Sequence, residues 1–141
     1  MTLGQNTKIT EALAYASGTA DREGAIIDMA GFEGVLILVH SAAIATGATY
    51  KIKAQQGAAA ALTDAADLAG TGITIADTED DTVHWIDVKP VERYVRLVVD
   101  KDTVNICAES AVYIQYGPQG IQTPIASTVG ETHHLPAEGT A

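Results

Sequence analysis

The residue types that could do chemistry are few and scattered along the chain. The densest group is Asp77-Thr78-Glu79-Asp80-Asp81. An acidic loop of this kind is a candidate calcium site, because calcium takes several carboxylate and carbonyl oxygens from one flexible segment. A helix-loop-helix calcium loop opened at Asp77 would need glycine at its sixth position and glutamate at its twelfth. Those positions hold Thr82 and Val88, so a solvated acidic turn is expected instead. The histidines are His40, His84, His133 and His134. Zinc needs three or four ligands that converge. His40 and His84 fall in separate strand-like runs, and adjacent residues such as His133 and His134 rarely aim at one ion. Ordinary polar roles are expected for all four, with no metal and no cofactor.

Nucleophilic chemistry finds no more support. No Gly-x-Ser-x-Gly elbow occurs, and no glycine-rich phosphate loop ends in Gly-Lys-Ser or Gly-Lys-Thr. Among the 18 carboxylates no pair stands out as an acid–base couple. No catalytic residue is nominated, and a non-enzymatic protein is expected. The single cysteine, Cys107, lies between Ile106 and Ala108 and reads as a buried small hydrophobe. One cysteine allows no intramolecular disulfide.

What remains is surface. The run Val91-Glu92-Arg93-Tyr94-Val95-Arg96-Leu97-Val98-Val99-Asp100 reads as a strand with unlike faces. Strand side chains alternate sides, so Val95, Leu97 and Val99 form a core face. Tyr94, Arg96 and Val98 form the other. Arginine and tyrosine are enriched at protein contacts, which makes Tyr94 and Arg96 candidate interface residues. The alternative is an exposed arginine whose stem lies on Tyr94. Trp85, on a face with Val83 and Asp87, is expected at the core or its rim.

The elements that must position these residues are short strands. Residues 8–15, 25–28, 35–40, 49–55, 73–76, 82–88, 91–100 and 109–116 all read as extended runs between turn signals. The run 35–40 is apolar on both faces, as in a central strand. In 49–55, Tyr50, Ile52 and Ala54 face inward against Lys51, Lys53 and Gln55. Val112, Ile114 and Tyr116 are expected as a core face beside Val95, Leu97 and Val99. Residues 57–70 are alanine-rich and read as a short helix or a compact loop. The pattern predicts an all-β fold, an antiparallel β-sandwich or a jelly-roll-like barrel.

A chain of 141 residues suits one domain, and 24 of them are alanine, which predicts a thin core. The formal net charge of −10 disfavours nucleic acid and anionic membranes as partners. No apolar run approaches the roughly 20 residues of a membrane span. Residues 1–10 carry no signal-peptide pattern, so a soluble protein made in a cytoplasm is expected. The strand domain is read over residues 1–117, and residues 118–141 as an extended C-terminal tail. That tail has no Lys or Arg and offers the apolar anchors Ile121, Ile125, Val129 and Leu135. Such a tail is expected to lie along another surface, such as a neighbouring subunit.

Three segments carry a resemblance. They are Ile27-Asp28-Met29-Ala30-Gly31-Phe32-Glu33-Gly34-Val35-Leu36, Asp67-Leu68-Ala69-Gly70-Thr71 and Arg93-Tyr94-Val95-Arg96-Leu97-Val98-Val99. Together they make residues 7–117 resemble small virion structural proteins of tailed bacteriophages. The resemblance implies a virion component, above all a capsid decoration (cement) protein on the outer shell. It implies the major capsid protein as partner, and self-association as a trimer or dimer. Alternatives are a head–tail connector, a tail or fibre-associated protein, and a calcium- or carbohydrate-binding surface module.

Overall fold

A computed structural model describes residues 3–101 and 106–118. Apart from two short 3-10 turns its regular structure is ten strands: β1 (Thr7–Gly18), β2 (Arg22–Glu23), β3 (Ile27–Asp28), β4 (Phe32–Ile44), β5 (Thr49–Gly57), β6 (Ala66–Asp67), β7 (Ile73–Ala76), β8 (Thr82–Val88), β9 (Tyr94–Asp100) and β10 (Cys107–Pro118). All pairings are antiparallel. One sheet, sheet A, has the order β1-β10-β4-β8. In the other, sheet B, β9 and β5 form the centre. β2 and β3 pair with β9, and β6 and β7 pair with β5. With β2/β3 and β6/β7 each counted as one broken strand, the two layers follow jelly-roll order. The sheets stay open at their edges, so the expected sandwich forms and the barrel alternative does not.

The core lies between the two inner faces. Sheet B contributes Tyr50, Ile52, Ala54, Val95, Leu97 and Val99, all fully buried, as the alternation predicts. Sheet A contributes Val35, Ile37 and Val39 from β4, and Ile86 and Val88 from β8. From β10 the inward residues are Ala111, Tyr113 and Gln115. The expected core face Val112, Ile114 and Tyr116 is therefore corrected, because these residues point outward. The physical reason lies in the partners of the polar side chains. Tyr113 Oη accepts the Leu97 N–H at 2.7 Å, and Gln115 donates to the Asp28 carbonyl at 2.8 Å. Hydrogen-bonded polar groups are tolerated inside, and of these side chains only the Gln115 carbonyl oxygen stays unpaired among the described residues. Gly24 makes the Tyr113 contact possible, since a Cβ there would come within 2.6 Å of the phenol oxygen.

Residues 57–70 form a turn-rich loop holding β6, not a helix. The Asp64 carboxylate accepts the Ala58 N–H at 2.8 Å and the Ala59 N–H at 3.2 Å. Those local bonds compete with helix formation. Leu62 is buried at the loop's centre.

Burial pushes the Tyr50 and Tyr113 phenols up to about 12. Unfolded tyrosine ionises near pH 10, so both phenols support the fold below that pH. Their support is lost as pH rises through about 12, by roughly 3 kcal/mol per buried phenol. Urea unfolding is expected to show stability falling from about pH 10 to 12 as phenolate absorbance appears. Phenolate formation at unchanged stability would contradict the burial.

Candidate functional site

Sheet A presents an apolar outer face. Antiparallel register places side chains in rows across its strands. One row runs Ile9, Ile114, Leu36, Asp87. The next runs Glu11, Val112, Leu38, Trp85, and a third Ser110, His40, Val83. Trp85 is 62% exposed and Val83 57%. Tyr15 on the edge strand β1 is 66% exposed. At one end Tyr116 lies across Gly34, whose missing side chain makes the room, and its hydroxyl donates to Asp87 at 2.6 Å. Leu36, Leu38, Val112 and Ile114 in these rows are half-buried, and contiguous apolar surface on a sheet face marks a contact site. Among the described residues nothing packs over this stripe.

The inner face of the same sheet carries charge. Glu109 is fully buried, with Arg22 at 2.8 Å from one carboxylate oxygen and Lys101 at 3.0 Å from the other. The Lys101 contact is an ion pair without hydrogen-bond geometry. Its ammonium donates instead to the Gly18 and Cys107 carbonyls, both at 3.0 Å. Arg22 also donates to the Ala14 carbonyl at 2.8 Å. This triad ties β2 and the end of β9 to β1 and β10. Cys107 is buried as expected, and burial pushes its thiol up.

The fold also gathers Ser41, His84 and Glu79. Ser41 Oγ lies 3.4 Å from His84 Nδ1, and His84 Nε2 lies 3.3 Å from Glu79 Oε1. The order matches a nucleophile, base and acid, and no local motif announces it. Ser41 is fully buried and shares its hydroxyl with Tyr50, so no substrate carbon can reach it in the folded chain. The trio instead ties β4, β5 and β8 to the 3-10 turn Asp77–Glu79.

In the acidic turn, Asp77 accepts the Gly47 N–H at 2.7 Å and Glu79 accepts the Ala76 N–H at 2.9 Å. That second bond, with His84, holds the Glu79 carboxyl below its usual range. Among the described residues no cluster of three or more His, Cys, Asp or Glu is arranged to hold a metal.

Tyr94 and Arg96 stand on the outer face of sheet B, on the opposite side of the sandwich from Trp85. Arg96 donates to Gln55 at 2.9 Å and to Glu23 at 2.6 Å. Gln55 donates to Asp67 at 2.7 Å, and Lys53 to the same carboxylate at 2.8 Å. The Lys53 and Gln55 bonds hold Asp67 below its usual range. A polar ladder thus crosses β2, β9, β5 and β6. Arg93 binds Asp28 through two bonds, at 2.9 and 2.8 Å, and stands 5.3 Å from the Tyr94 ring centre. Ile121, Ile125, Val129 and Leu135 lie outside the described residues.

No protein-family model and no curated protein matches the chain. The fold is similar to the crystal structure of the PBSX exported protein XepA, at a TM-score of 0.58 and 13% identity. The match covers 99% of this chain and 45% of that one, so the chain spans less than half the length of its structural neighbour. At this identity the likeness carries the fold.

Proposed function

We propose that this chain is a structural protein of a phage-related particle and works by surface contact. Its finer role in this reading is capsid decoration: the chain cements the outer shell by binding the major capsid protein. The observation that carries the reading is the outer face of sheet A, where Trp85, Val83, Leu36, Leu38, Val112 and Ile114 form one apolar stripe. Support also comes from the structural neighbour, a phage PBSX protein, and from the segments that resemble tailed-phage virion proteins. The match covers 45% of the neighbour's chain, so its whole role is not carried over.

The test is add-back. Shells stripped of the protein should lose heat and osmotic resistance, and regain it with the native chain. A chain carrying Leu38→Lys, on the central strand β4 of that stripe, should fold but not restore resistance. Failure of the native chain to bind expanded shells would overturn the proposal. Copy number tests the finer role. Copies in proportion to the capsid protein support decoration. One small ring of copies overturns it in favour of a connector or tail component.

A further inference from the structure

An open sandwich has edges, and unprotected edges invite pairing with another chain. Three of the four edges here are blunted by the chain itself. β1 is broken by register shifts between Glu11 and Leu13 and between Leu13 and Ala16. Its outward carbonyls at Ala12 and Ala14 already accept the Ala25 N–H and Arg22. On sheet B the edges are fragments. β2 and β3 are two residues each, β6 is two and β7 is four. The segment between β6 and β7 folds back on β5, where Ala54 accepts the Leu68 N–H and donates to Thr71.

β8 is different. Its seven residues pair with β4 in unbroken register, from Val35 opposite Val88 to Ser41 opposite Thr82. It contains no proline, glycine or lysine. Every second residue of an edge strand turns its N–H and C=O away from its one partner. Among the described residues, no backbone bond outside the strand ladders uses a β8 residue.

We propose that a second copy of this chain pairs along β8, antiparallel, about a two-fold axis through Trp85. Trp85 is the central residue of Thr82–Val88, so this register pairs all seven residues and sets Trp85 opposite its own copy. Thr82 then meets Val88, Val83 meets Asp87 and His84 meets Ile86. No like charges are opposed, and the exposed aromatic rings form a cross-strand pair. The two sheets A become one continuous sheet, and their apolar stripes join into one wider surface. The inference rests on sheet A as the contact side. The two readings fail separately. A monomer that still coats shells sinks the pairing alone, and a dimer that does not coat them sinks the assembly reading alone.

Sedimentation of the full chain should show a dimer. Trp85→Lys and Trp85→Glu should each weaken it by about tenfold or more, because each variant sets like charges directly opposite. An equimolar mixture of the two should restore dimers, which a merely structural defect would not do. Trp85→Cys should form an intermolecular disulfide on oxidation, since directly opposed Cβ atoms lie about 4.5–5.5 Å apart. Val91→Cys, at a position 90% exposed beyond β8, should not. A monomeric native chain, or dimers that persist in both charge variants alone, would overturn the proposal.

Discussion

Exchanging Glu109 for glutamine should lower the unfolding free energy by about 3–5 kcal/mol, because it leaves the buried Lys101 ammonium without its counter-charge. That is a large share of the roughly 5–15 kcal/mol that holds a domain of this kind together. Glu109 and Lys101 are both shut off from water, so solvent cannot stand in for the missing carboxylate. The Gly18 and Cys107 carbonyls would still accept from Lys101, but dipoles only partly replace a charge. Adding Lys101→Met should recover much of the loss, since the fully buried ammonium is then gone and Arg22, the other cation of the triad, is partly exposed to water. Urea unfolding of the single and double variants reads this directly. A loss under about 1 kcal/mol for Glu109→Gln would mean the pair behaves as a solvated one.

Leu36→Lys should abolish shell attachment while leaving the fold nearly as stable. Leu36 lies between Ile114 and Asp87 on the outer face of sheet A, and it is half-buried there. A lysine stem can lie along the apolar row and carry its charge to water, so the isolated chain should lose no more than about 1 kcal/mol. In a covered interface the same ammonium would be stripped of water with no partner. Burying one unpaired ion costs several kcal/mol, so binding should fall by about a hundredfold or more. Arg96→Ala on sheet B is the comparison. It breaks bonds to Glu23 and Gln55, which are contacts within the chain. If attachment falls more with Arg96→Ala than with Leu36→Lys, the contact lies on sheet B.

The strands are legible in the sequence because alternation is a local signal. Tyr50, Ile52 and Ala54 point inward as their spacing predicts, and so do Val95, Leu97 and Val99. β10 departs from its pattern for a physical reason. Its more apolar side, Val112, Ile114 and Tyr116, faces out, while Glu109, Tyr113 and Gln115 face in. Hydrophobicity ranks those sides the other way. Only the partners Arg22, Lys101, Leu97 and Asp28, distant in sequence, make the polar side the inner one. The same fact is the best clue to function. A run that is apolar on both faces, as β4 is from Val35 to Val39, belongs to a sheet covered on both faces. Among the described residues only one of those faces is covered. Trp85 differs in the same sense, expected at the core or its rim and found open on the edge strand. The Ser41, His84 and Glu79 trio has no spacing signature, because the topology alone brings β4, β8 and the 3-10 turn together.

In the proposed reading the outer face of sheet A is the side by which this chain assembles. Hydroxyl-radical footprinting read by peptide mass spectrometry tests it on the native chain, free and bound to shells. Trp85 is the only tryptophan of the chain, and Leu36 and Leu38, away from the β8 edge, report the same face whether or not two copies pair there. Oxidation of Leu36, Leu38 and Trp85 should fall on binding, while Tyr94 on sheet B is oxidised as before. Unchanged oxidation of Leu36 and Leu38, or protection of Tyr94 instead, would contradict assembly through sheet A.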